Sequence, residues 1–229
     1  MRHTVLVALA VIATTSSCAR ALRVPHTDAP PIVGTFEHGI NQRTKVFDVE
    51  VPEVKKDTQR SDSVTLKYGG AKLGGSETQQ QRSNLTVLRG GQPLVSVECL
   101  SRQEGVTVSR TEFSRHTLTC SGAGFALEVQ EPRADVFVGS ARVGPVEVAF
   151  ESTDEMEKGI PQYPTGFHLK ANGRWVATFE YFQGGKAYLR PDLAGPERDA
   201  VLAVVVVLQS TDGWFVNDLG RNQARPFGM

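Results

Sequence analysis

The chain of 229 residues is predicted to be mainly β: a single antiparallel sandwich or barrel with one buried C-terminal helix. Three observations predict it. Strand-like runs recur about every ten residues, with Gly, Pro and Asn between them, as in all-β sandwiches and barrels. Asn172-Gly173 and Gly184-Gly185 separate three alternating segments between Gly166 and Leu193, and such pairs tolerate the positive φ of tight turns. Finally, Ala200 to Leu208 is apolar without interruption, so no face of it suits water and the fold must cover it on all sides.

In chain order, Met1-Arg2-His3, the apolar run Val5–Ala13 and the small residues Thr14–Ser17 make residues 1–18 a secretory signal peptide. Cys18, directly after those small residues, is similar to the cysteine of a bacterial lipobox and would become the lipid-modified first residue of the mature chain. The alternative is ordinary cleavage near Ala19 or Ala21, which leaves a periplasmic or secreted protein. Residues 19–31, broken by Pro25, Pro30 and Pro31, read as a flexible tether. No composition break follows, so 32–229 reads as a single β-rich domain.

Within that domain, Thr44–Val51 is expected to be one strand with Phe47, Val49 and Val51 facing inward. Lys55–Ser63 reads as a polar loop and Ser63–Tyr68 as a short strand. Gly69-Gly70 and Gly74-Gly75 read as hairpin-turn pairs; neither a GxxxxGK[ST] nor a GxGxxG pattern is present to make them a phosphate cradle. Further strands are expected at Leu85–Arg89, Leu94–Leu100, Val106–Arg110, Phe113–Cys120, Phe125–Gln130, Val136–Val143 and Val146–Phe150. For the last apolar run, Val204–Val207 favours a strand by β-branched propensity. Pro196, Glu197 and Asp199 favour a helix from about Pro196 to Gln209, because Pro suits its first position and acids oppose the positive end of its dipole. Packed against the strands of Phe167–Lys170, Trp175–Phe182 and Ala187–Arg190, it would have Trp175 or Phe179 among its neighbours.

The stretch from Gly166 to about Trp214, a β-meander followed by an acidic lead-in and a terminal apolar helix, resembles the tubby-like group of folds, which includes the tubby C-terminal domains, phospholipid scramblases and LURP-one-related proteins; Leu85–Val148 shares only the general strand pattern. The resemblance implies a closed antiparallel barrel around a hydrophobic C-terminal helix, and a lipid-handling module as one function. The chain departs from that group in having neither a cysteine-rich palmitoylation cluster nor an acidic calcium-site run, so no lipid-binding role passes to particular residues.

The chemistry-bearing residues are sparse. Lys plus Arg and Asp plus Glu number 25 each, a balance that argues against a nucleic-acid partner. With Cys18 assigned to lipid, Cys99 and Cys120 are expected to pair as a disulfide in an oxidising compartment. The absence of a CxxC or HxxxH pair argues against a metal site using Cys99, His116 and Cys120, and no cofactor is expected. Ser121 lies in CSGAG, which is not a GxSxG elbow. His116 and His168 alternate with neighbours as surface residues would, and Asp154-Glu155-Glu157 lacks the calcium-loop spacing. The reading is therefore an exported, lipid-anchored, non-enzymatic envelope protein acting as a binding or structural module. Its partners would be the membrane through the N-terminal lipid, and an envelope protein or a lipid ligand. The alternative is an exported hydrolase with a site assembled from His116, His168 and Asp154.

Overall fold

The computed structural model describes residues 23–25, 29–38, 43–57, 60–68, 71–108, 111–133, 136–153, 166–180 and 185–211. Among them, fifteen strands join in one antiparallel sheet. It begins with the short strands β1 (Ile32–Thr35), β2 (Glu37–His38), β3 (Thr44–Val46), β4 (Val49–Val51) and β5 (Val54–Lys56). Long strands follow: β6 (Arg60–Tyr68), β7 (Ala71–Arg89), β8 (Gln92–Val108) and β9 (Thr111–Gly122). The remainder is a meander of β10 (Phe125–Arg133), β11 (Val136–Val143), β12 (Val146–Thr153), β13 (Gly166–Ala171), β14 (Arg174–Glu180) and β15 (Lys186–Leu189), ending in the helix α1 (Gly195–Ser210).

The sheet curls into a nearly closed barrel because one stretch of chain serves both of its ends. β1 pairs with β15, and β2, one residue further on, pairs with β3. Phe36 lies between them, donating its N–H to Gly185 O at 2.9 Å and packing edge-on to Phe179 with ring centroids 6.2 Å apart. Gly34 is needed here: a Cβ on it would fall 2.7 Å from the Phe47 ring, which covers this junction.

Inside runs α1. The strands alone would leave an open core, and Ala200–Leu208, apolar on every side, fills it, each of the nine residues buried. Pro196 opens the helix without a side-chain cap, and Thr211 closes it, its N–H donating to Val207 O at 3.0 Å and its Oγ1 to the same oxygen at 2.9 Å. This settles the choice for helix over strand. Its neighbours differ from expectation: α1 lies closest to β3, β4 and β12, with β14 a lesser contact. Trp175 is turned away, its indole N–H donating to Thr178 Oγ1 at 2.9 Å.

Other differences have local causes. Thr44–Val51 is a hairpin, because Phe47 adopts φ 55° and turns the chain without a glycine; Thr44, Val46, Val49 and Val51 are the buried residues, not Phe47. Lys55–Ser63 holds β5 and the start of β6 instead of a loop. Gly74 and Gly75 lie inside β7, where close approach of β6 accounts for Gly75: a Cβ there would fall 2.6 Å from Val64 O. Leu94–Leu100 and Val106–Arg110 belong to one strand, β8, as far as Val108. Gly69-Gly70 and Gly184 lie outside the described residues.

The ordered two-residue turns Phe47-Asp48, Gly90-Gly91, Ala123-Gly124, Gly144-Pro145 and Asn172-Gly173 all fall at the end of the barrel where α1 begins, hereafter the turn end. At the other end β6 to β9 outrun their neighbours. β10 pairs with β9 only from Thr117 to Gly122, and β5 with β7 only from Ser83 to Leu85. Beyond these limits a four-stranded sheet in the order β6-β7-β8-β9 continues as an arm. The nine residues Ala71–Gln79 carry it about 30 Å past the barrel.

Candidate functional site

Four places gather polar or exposed groups that the core does not explain. The first is the turn end, where arginines clasp the start of α1. Arg198 reaches Asp48 with two nitrogens at 2.6 and 3.2 Å, Arg89 bridges Asp48 at 3.1 Å and Asp199 at 2.5 Å, and Arg174 meets Glu197 at 2.7 Å. The hydrogen bonds from Arg198 hold the Asp48 carboxyl down at about 2, and Arg190 does the same for Asp192, also about 2. Acids at a helix N-terminus and cations beside them fix the helix in the barrel mouth. These groups are mutually neutralised, which suits a clasp better than a binding site.

The second is inside the wall. His116, expected at the surface, has a side chain only 3% exposed, and Glu131 beside it only 5%. The carboxylate lies 3.0 Å from His116 Nδ1 and accepts the His116 backbone N–H at 3.0 Å. The ring stacks on Phe137 at 6.2 Å. The position explains the arrangement: the β9–β10 register ends at Thr117, and at the next residue out the His116 backbone N–H is taken by the Glu131 carboxylate. Such a histidine–carboxylate pair is the convergence a hydrolase reading asks for, yet it is sealed from substrate.

The third cluster is on the outer row of the meander, where Glu151, His168, Thr178 and Tyr188 lie opposite one another on successive strands. Thr178 Oγ1 is 2.7 Å from His168 Nδ1 and accepts the Trp175 indole N–H at 2.9 Å. Glu180 accepts the Lys186 N–H at 2.8 Å and the Tyr188 hydroxyl at 3.2 Å. Thr178 is fully buried, which keeps it from acting as a nucleophile. His116 points inward from β9 and His168 outward from β13, so the two do not share a site; Asp154, Glu155 and Glu157 lie outside the described residues. Ser121 is exposed on β9, opposite Glu98 on one side and Ala126 on the other. Among the described residues no three His, Cys, Asp or Glu side chains gather as metal ligands. No described helix is long and apolar enough to cross a membrane.

The fourth place is the arm. Register puts Arg60, Gln80 and Arg102 in one row, Asp62, Thr78 and Glu104 in the next, then Val64, Ser76 and Val106, all on the face continuous with the barrel exterior. Val64 is 61% exposed, Leu66 63% and Val106 46%. The charges toward the barrel are paired in place, Arg60 with Asp62 at 3.0 Å and Arg102 with Glu104 at 2.6 Å. The opposite face is polar: Ser61, Ser63, Thr65, Gln79, Gln81 and Gln103 lie on it with the carboxylate of Glu77, which accepts from the Gln79 side chain at 2.6 Å. An apolar patch edged by satisfied charges has the anatomy of a contact surface. A shallow, open groove of about 530 Å³ beside Pro52-Glu53 is of mixed character, lined by Lys55, Leu85, Thr86, Val97 and Glu98 among others.

Of the residues singled out in the sequence, Cys99 and Cys120 are joined: they are direct register partners on β8 and β9, disulfide-bonded and buried. Cys18 lies outside the described residues. The arm was missed, although a signal for it exists. Positions that face inward are Leu85, Val97 and Cys99 within the barrel, and switch to Gln81, Gln79 and Gln103 beyond it. Comparison with protein-family models, curated proteins and solved structures finds no match in any of the three.

Proposed function

We propose that the protein is an exported, lipid-anchored, non-enzymatic module that acts by contact, with the arm as its contact surface. The observation that carries this reading is the exposure of Val64, Leu66 and Val106 together on one face of a sheet that has left the barrel. Exposed apolar patches of this kind mark interaction surfaces in folded proteins. The course of the chain supports it. β1 enters antiparallel to β15 with Ile32 opposite Leu189, so the tether 19–31 meets the barrel at the turn end and the arm lies at the other. A lipid on Cys18 would hold the turn end toward the membrane, within about 45 Å for a fully extended tether, and present the arm away from it. The closed barrel around a C-terminal helix supports the tubby-like arrangement as architecture. A lipid-handling role would need an apolar channel beside α1, and the side chains of Ala200–Leu208 are instead packed by the wall.

The test has two readouts on the protein expressed with its signal. Mass spectrometry of the mature N-terminus should find an acylated Cys18, and Cys18→Ala should leave the membrane fraction or stay unprocessed. A photo-cross-linkable residue at Leu66 should give a discrete protein adduct in the envelope, whereas one at Glu147, on the barrel exterior, should not. An unmodified N-terminus would remove the anchor, and no adduct at Leu66 would remove the contact reading.

A further inference from the structure

The arm has an edge as well as a face. Among the described residues β6 pairs only with β7, and its nine residues Arg60–Tyr68 leave one side of their backbone without a strand. An open edge of this length recruits another strand, and folded proteins usually blunt such edges. On the arm's other edge the residue nearest the barrel is covered: where β9 leaves β10, the Glu131 carboxylate accepts the His116 N–H at 3.0 Å. On β6 there is no proline, and the register irregularity between Leu66 and Lys67 places its extra residue on β7, leaving β6 straight.

We infer that β6 pairs antiparallel with β6 of a second copy of this chain, centred on Val64, joining two arms into one eight-stranded sheet. The inference rests on the arm being the contact surface. Four observations favour a second copy. A two-fold axis through Val64 pairs all nine residues of each strand, supplying about eight to ten backbone hydrogen bonds, the number a typical protein interface carries. No like charges then oppose: Arg60 faces Tyr68 of the other copy, Asp62 faces Leu66 and Ser61 faces Lys67, with Asp62 already held by its own Arg60. The axis keeps the two outer faces on one side, so the exposed Val64 of each copy meets the other at the centre of one row, with Ser76 and then Val106 beyond it on either side. The antiparallel direction carries the second barrel past the tip of the first arm, so the barrels do not collide. The pairing is isologous and closes as a dimer.

The centre of symmetry supplies the test, because Val64 is the one position that meets itself. Sedimentation velocity of the full mature chain across a hundredfold concentration range should show a monomer–dimer equilibrium. Val64→Glu and Val64→Lys should each weaken it by at least about tenfold, since like charges meet at the axis. An equimolar mixture of the two should recover the dimer, which neither misfolding nor a merely structural loss would allow. Oxidised Val64→Cys should cross-link to itself far faster than Ser63→Cys or Thr65→Cys. A wild type that stays monomeric throughout, a dimer indifferent to Val64→Glu, or a mixture that fails to recover would each overturn the inference. A monomer whose Leu66 adduct contains a different protein would do so while leaving the contact reading standing.

Discussion

At the scale of single residues, the polar groups with the closest partners serve the fold. Glu131 accepts the His116 N–H where the β9–β10 register ends, Thr178 ties His168 to Trp175, and Asp48 joins a barrel turn to the helix through Arg198 and Arg89. Asp48 makes a prediction with a definite sign. A carboxyl held at about 2 in the folded chain, against 3.8 when unperturbed, favours folding above 3.8 and loses that contribution as pH falls from 3.8 toward 2. Asp48 is partly exposed, so the effect is of the size of a surface pair. Asp48→Asn should lower Tm at pH 7 by about 1–4 °C, with the gap from wild type shrinking as the pH falls below about 4. A gap that stays constant from pH 7 to pH 2, followed by differential scanning calorimetry, would show that this ion pair does not titrate with the fold.

At the scale of elements, α1 is the part on which the others depend. It is apolar on all sides and is walled by β3, β4, β7, β11, β12 and β14. Each buried valine contributes roughly 1.5–3 kcal/mol before entropy is counted. Val205→Asp would set an unpaired carboxylate in that interior and should abolish stable folding, whereas Lys186→Asp, exposed on β15, should stay within about 0.5 kcal/mol of wild type. Thermal unfolding of the two variants side by side decides it; equal stability would mean that the helix is not enclosed. The burial of the last apolar run was legible because nine apolar residues allow no exposed face, its helical form from Pro196 and the acids beside it against the strand preference of Val204–Val207, and the meander from alternation and the Asn-Gly turn. The Thr44–Val51 hairpin was not, since it turns at Phe47-Asp48 with no glycine to announce it. Gly74-Gly75 misled for the opposite reason: glycine there admits a neighbouring strand instead of turning the chain. His116 looked like a surface residue because the partner that buries it, Glu131, comes from the next strand at the point where pairing stops. The arm escaped notice because Ser, Thr and Gln alternate with Val and Leu there as they would on a barrel wall, and the face that turns apolar is the outer one.

At the scale of the whole molecule, the barrel divides into two ends with different work. The turn end gathers the tight hairpins, the arginine clasp on the helix and the start of β1. The opposite end extends an apolar-faced sheet whose β6 edge is open among the described residues. The disulfide between Cys99 and Cys120 ties β8 to β9 near the base of that sheet, and closing a loop of 21 residues stabilises the fold by about 3 kcal/mol in the chain-entropy description. The central claim is that a rigid barrel, filled by its own helix, holds out a strand edge for pairing. Hydrogen–deuterium exchange of the full mature chain at low and high concentration tests this most directly. Amides of Ala200–Leu208 should exchange only through global unfolding at both concentrations, while those of Arg60–Tyr68 should be unprotected on their open side when dilute and gain protection as concentration rises. Rapid exchange along the helix, or β6 protection that does not change with concentration, would contradict the account.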